Sequence, residues 1–206
     1  MGFRLAILSW WTPNYIIRRE LDHVSDLTTD TLENLLETSA SVNPAKIAEA
    51  KVQLSINVEE KRSQMAKEHA KLVEALVVAI GRDEALKQGR AALFEVGRNL
   101  GEETRDRLKI GDNPKDLIKA AKILYRVLGI AFGVEWLGET RANLIVDRCA
   151  LAKEYSELTC LVLSAADEGV IKGLNPRASM MFRERITSGC RTCKAIIEFS
   201  REEAVR

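Results

Sequence analysis

The sequence predicts an α+β fold, with N-terminal helices followed by a β-β-α-β-β unit carrying a small antiparallel sheet. Three observations carry this reading. Apolar residues recur at helical spacing through roughly the first 130 residues. After Gly129 the pattern changes to two-residue alternation in short stretches. One helical stretch, Glu157 to about Lys172, divides those stretches into two pairs, an order expected of an antiparallel sheet with helices kept to one side.

The elements follow in order. Asp30-Thr31-Leu32-Glu33, with Leu35 and Leu36, predicts a short helix after the Ser/Thr/Asp-rich stretch 25–31. Pro44 after Ser41-Val42-Asn43 starts a long helix to about Ile80, and Gly81 stops it. Met65, His69, Leu72, Val73, Leu76, Val77 and Ile80 share one face of that helix, where His69 reads as a satisfied core or interface histidine. A helix over about 83–108 carries Gly89, Gly97 and Gly101, which weaken it but let another backbone approach closely. Gly111-Asp112-Asn113-Pro114 is a loop, and a further helix runs to about Leu128. Strands are expected over 133–141 and 143–151, then the helix at Glu157, then strands over 179–187 and 193–200. Residues 1–43 read as an N-terminal docking segment, with Trp10-Trp11 seated on the bundle or on a second subunit. Residues 44–206 read as a single helical plus α+β domain, its sheet unit at about 134–200.

The chain has 206 residues, 46% hydrophobic and 30% charged, enough to bury a core without staples. A net charge of +1 offers no field for nucleic acid, which is not expected as a partner. The longest apolar run, Leu5 to Trp11, is far short of the ~20 residues of a membrane span. No signal peptide is read, and a cytoplasmic location is expected. In that setting the four cysteines, Cys149, Cys160, Cys190 and Cys193, are not expected to be structural disulfides.

Residues two apart in a strand share a face. On that rule Met180, Phe182, Glu184 and Ile186 form one row, and Cys193, Ala195, Ile197 and Phe199 form the inward row of the next strand. Glu184 on an apolar face needs an arginine, a metal or a proton. Cys160, Glu184, Cys190 and Cys193 make a donor set of a kind that zinc prefers. The competing readings are ordinary buried thiols with Glu184 paired to an arginine, or a reversible Cys190–Cys193 disulfide. Cys160, Ser164 and Asp167 lie along one side of their helix, although Asp167-Glu168 reads first as a solvated face.

These residues resemble two related families. The helix opening near Cys160, the Gly169 and Gly173 spacing, Phe182-Arg183-Glu184 and Gly189…Cys193-Lys194-Ala195 resemble the 4-vinyl reductase-like ligand-binding domain. That resemblance implies zinc held by Cys160, Glu184 and Cys193. Thr187 stands where the family has a further cysteine, and Cys190 could substitute. Arg148-Cys149, Thr159-Cys160, Asp167, Asn175-Pro176 and Gly189…Cys193…Phe199 are closer in texture to the L-2-amino-thiazoline-4-carboxylate hydrolase-like family. This second resemblance covers about the last third of the chain and implies opening of a small sulfur- and nitrogen-containing ring by water. It makes Cys149, Cys160, Asp167 and Cys193 site candidates, with Cys149 and Asp167 as the catalytic pair.

Three functions are therefore expected to compete. The first is a small-molecule binding domain with a Cys/Glu metal site, for zinc or else iron, with Trp136 and Phe182 as pocket walls. The second is a metal-assisted hydrolase in which Asp167 or Glu168 shuttles the proton. The third is a helical dimeric assembly protein. A helix over 44–80 would be about 50 Å long, more than a domain of this size needs, so a homodimer through it is expected.

Overall fold

The computed structural model describes residues 13–40 and 57–200. In them the predicted α+β order is present: α1 (Asn14–Ala40), α2 (Val58–Ile80), α3 (Arg82–Leu108), α4 (Pro114–Val127), β1 (Ile130–Trp136), β2 (Arg141–Cys149), α5 (Glu157–Leu174), β3 (Ala178–Glu184) and β4 (Cys193–Phe199). Short 3-10 turns follow β2 at Ala150–Lys153 and β3 at Ile186–Ser188. The four strands form one antiparallel sheet in the order β1-β2-β4-β3.

Two helices differ from expectation. The helix expected after residues 25–31 instead runs through them, because α1 begins at Asn14. Thr28 and Thr31 donate their hydroxyls to the carbonyls of Val24 and Leu27, 2.7 Å each, so these residues sit inside the helix rather than start it. Leu21, Leu32 and Leu36 on its inner face are buried. The second difference is the start of α2. Asn57 is extended, and its side chain accepts a bond from Glu59 N at 3.0 Å, a side-chain N-cap. The start expected at Pro44, like Trp10 and Trp11, lies outside the described residues. The 23 residues of α2 span about 35 Å, so the length that argued for a second chain is not found in the described helix.

α5 is held between α3 on one side and the sheet with α4 on the other. Its contact with α3 is backbone against backbone. A Cβ on Gly97 would lie 2.0 Å from the Ala166 carbonyl oxygen, and one on Gly169 would lie 2.0 Å from that of Phe94. Gly173 faces the Arg98 carbonyl in the same way at 2.1 Å. The close approach expected of the α3 glycines is thus made, and α5 supplies matching glycines. On the other side, Val170, Ile171 and Leu174 join Leu117, Ala120 and Ala121 of α4 over the inward row Leu144, Val146, Cys193, Ala195 and Ile197 of the sheet. A second apolar cluster of Leu32, Leu72, Leu76, Leu93 and Val162 ties α5 to α1, α2 and α3.

The strand bounds shift by a few residues at the hairpin. Leu137 N donates to Arg141 O at 2.9 Å, and Gly138 takes a φ of 138°, so the turn falls before Arg141 and that residue opens β2.

Replacing Gly169 by Ala gains about 1 kcal/mol of helix propensity but drives a methyl into a carbonyl that cannot move without shifting α3. The expected result is a net loss of roughly 2–3 kcal/mol in urea unfolding. Gly133→Ala, where nothing lies within 4 Å of the added carbon, is expected to be neutral within about 0.5 kcal/mol. Equal stability of the two variants contradicts the close-contact account.

Candidate functional site

Ser156 caps α5 by accepting from Thr159 N at 3.1 Å, which fixes the first turn of the helix. Cys160, Ser164 and Asp167 then project at i, i+4 and i+7 on the side away from α3. They line a cavity of about 90 Å³. The sheet contributes Cys149 from the end of β2 and Cys193 from the start of β4, where Cys193 sits opposite Val146. Tyr125 of α4, Tyr155 before α5, Thr28 of α1 and His69 of α2 close it from the helical side. Three of the four cysteines and Asp167 therefore meet in one place. Cys190 lies in the turn before β4, apart from the cavity lining. All four cysteines are free.

Glu184 is not in the buried row. Phe182 pairs with Ala195 and Glu184 with Lys194, so two steps along β3 match one along β4, and Arg183 is the extra residue of a bulge. Residues directly opposite in an antiparallel pair share a face. Glu184 consequently joins Lys194 on the outer face, where the two form a 3.0 Å ion pair. The bulge turns Arg185 inward instead. Its guanidinium lies 5.2 Å from the Phe182 ring centroid, and Nη2 donates to Ser164 Oγ at 3.2 Å. Arg185 Nε is buried with no partner, and among the described residues no carboxylate pairs with this arginine. Of the two expected wall residues, Phe182 lines the cavity, whereas Trp136 stacks on Phe199 at 6.2 Å and remains 39% exposed.

The electrostatics follow from burial. Asp167 is half-buried in the cavity wall, and desolvation pushes its carboxyl up to about 7. The facing Tyr125 hydroxyl and Arg185 act against that rise, while Glu168 adds to it. Glu168 itself is tied to Arg90 at 2.7 Å. Tyr125 Oη faces Asp167 without completing a hydrogen bond of good geometry. Burial pushes the Cys149 thiol up to about 11 and raises Cys160 and Cys193 as well, against the pull of Arg185 on the latter two. Protonated thiols are poor nucleophiles, so none of the three is poised for attack at neutral pH. Desolvation lowers His69 to about 4, leaving it neutral. Its two ring nitrogens each lie 2.8 Å from a hydroxyl, Thr28 Oγ1 and Tyr155 Oη.

A metal held by Cys160, Glu184, Cys190 and Cys193 requires those donors to converge. Glu184 is committed to Lys194 on the opposite face of the sheet. Cys193 Sγ accepts from Ile186 N at 3.3 Å. Among the described residues no group of three or more Cys, His, Asp or Glu side chains is placed to hold a metal ion. The four donors do not fit together as a ligand set. Arg185, Tyr125, Tyr155 and Thr28 were missed as site residues. Arg185 was hidden by the bulge, and the hydroxyl groups carry no spacing signal.

No helix among the described residues is long and apolar enough to cross a membrane. No curated protein matches the chain. Among the solved structures that share the fold at low identity are the following two. A trafficking protein particle complex subunit 3 from Naegleria fowleri, covalently bound to palmitic acid, is 12% identical with a TM-score of 0.54, over 69% of this chain and 97% of that one. The phenol-responsive sensory domain of the transcription activator PoxR, with phenol, is 13% identical with a TM-score of 0.50, over 82% and 89%. The family model described as L-2-amino-thiazoline-4-carboxylic acid hydrolase matches residues 60–197, the span holding every candidate site residue and all but one residue of the cavity wall named above, and the chain belongs to that family.

Proposed function

We propose that the cavity binds a small heterocyclic carboxylic acid, with Arg185 as the anchor for its carboxylate. The observation that carries this reading is the arginine itself. A guanidinium turned into an apolar cavity with a buried, unpartnered Nε is costly unless an anion meets it. Arginine also offers the planar fork that matches a carboxylate. Phe182 and the neutral thiols supply apolar wall on which a flat ring can lie. The family description supplies a compound of this class, 2-amino-thiazoline-4-carboxylic acid. The phenol sensor, which shares the fold, holds a small planar molecule by its own description.

A second reading adds turnover, and Asp167 favours it. A carboxyl near 7 exchanges its proton at neutral pH and suits general acid–base work. Water would add to the ring carbon between sulfur and nitrogen, one ring bond of that carbon would break, and the departing atom would take a proton. Asp167 would accept the proton of the water and return it to the departing atom. No step in this reading uses a thiolate or a metal held by Glu184.

Calorimetry with 2-amino-thiazoline-4-carboxylate tests the binding reading. Arg185→Gln is expected to weaken binding about 10- to 100-fold, the loss of a charged hydrogen bond, with little change in folding. Unchanged affinity in this variant sinks the anchor role. Asp167→Asn tests the second reading, with ring opening expected to fall at least about 100-fold while binding persists. The same variant has a pH signature. A carboxyl raised in the folded state favours folding fully below its unfolded value of 3.8, and that contribution fades as pH rises through about 7. Asp167→Asn is therefore expected to become more stable relative to wild type between pH 4 and 7, by roughly 2–4 kcal/mol. A pH-independent difference in urea unfolding would contradict the burial of Asp167.

A further inference from the structure

The hydrogen bonds around His69 have a direction that can be worked out from the available protons. Thr28 has one hydroxyl proton, and it is engaged by the α1 carbonyls, Val24 O at 2.7 Å and Ser25 O at 3.2 Å. Thr28 Oγ1 therefore has only lone pairs to offer His69 Nε2 at 2.8 Å, and Nε2 must carry the imidazole proton. A neutral imidazole has one N–H, so Nδ1 is bare and accepts the Tyr155 hydroxyl proton at 2.8 Å. Tyr155 has then spent its proton. The free lone pairs of Oη are all it can offer to the contents of the cavity that it lines.

We infer that the Thr28–His69–Tyr155 chain is a one-way hydrogen-bond relay that makes Tyr155 an acceptor selecting ligands with an N–H group beside their carboxylate. The inference rests on the binding reading above and assigns a specificity-determining residue to it: Tyr155 distinguishes an acid that bears an amino group from the same acid without one. The division of labour is chemical. Arg185 can only donate and so reads the carboxylate, while Tyr155 can only accept and so reads the nitrogen. His69 touches no ligand in this scheme and is a positioning residue, and Thr28 fixes its tautomer from one step further away.

Two measurements test it. Nitrogen-15 correlation spectra of the two histidines report which ring nitrogen of His69 is protonated. The expected result is Nε2–H in the wild type and a shift toward Nδ1–H in Thr28→Val, where the acceptor is gone. Nδ1–H in the wild type reverses the relay and overturns the inference. The second measurement compares binding of 2-amino-thiazoline-4-carboxylate with thiazoline-4-carboxylate, which lacks the amino group. Wild type is expected to favour the amino compound about tenfold. Tyr155→Phe is expected to lose that preference while holding thiazoline-4-carboxylate within about threefold of wild type. Equal binding of the two acids to wild type overturns the inference but leaves the carboxylate anchor intact. Binding of neither ends both readings. Should Tyr155→Phe fold poorly, Thr28→Val carries the same comparison, and an undiminished preference in it counts against the relay.

Discussion

The backbone contact between α3 and α5 sets the geometry of everything around the cavity. Helix axes ordinarily lie about 8–10 Å apart because side chains separate them. Here Gly97, Gly169 and Gly173 remove those side chains, and carbonyl oxygens fill the space a Cβ would need. At 3.6 residues per turn, Gly169 and Gly173 lie on nearly the opposite side of α5 from Cys160, Ser164 and Asp167. Pulling the glycine side tight against α3 recesses the other side. The sheet, α4 and α2 then close over it, and Asp167 is drawn into the cavity wall as a consequence of contacts made on the far face of its own helix.

The second constraint is the bulge at Arg183. Side chains alternate strictly along a strand, so a one-residue slip exchanges faces. Without the bulge Glu184 would continue the inward row of Met180 and Phe182. With it, Glu184 meets Lys194 outside and Arg185 meets the cavity. The exchange puts a cation, in place of a candidate metal ligand, against the cavity.

This explains what could be read from the residues and what could not. Helix and strand types, the antiparallel sheet and the glycine approach all follow from local periodicity or from the size of one residue. Cys160 and Cys193 were legible as candidates because the few cysteines all fall in one segment, and Cys149 and Asp167 joined them through the resemblance to the hydrolase-like family. Glu184 and Arg185 were not separable, since register is set by the pairing of β3 with β4 and not by β3 alone. α1 was misread because threonines that favour helix ends in isolation can also bond back to their own helix, as Thr28 and Thr31 do. Asp167 beside Glu168 reads as a wet face until the depth of α5 is known.

Burial then decides which groups in the cavity can act. The same desolvation acts on the thiols, the carboxyl and the imidazole, but their ordinary values differ. Raising a thiol moves it away from neutrality and silences it, as at Cys149 near 11. Lowering an imidazole to about 4 takes it out of range from the other side. Raising a carboxyl to about 7 brings it into range. One environment therefore leaves Asp167 as the group able to exchange a proton at neutral pH, beside the Arg185 guanidinium and a histidine held neutral. Three of the cysteines that mark the segment in the sequence form wall, beside the residues that the glycine crossing and the bulge turn inward.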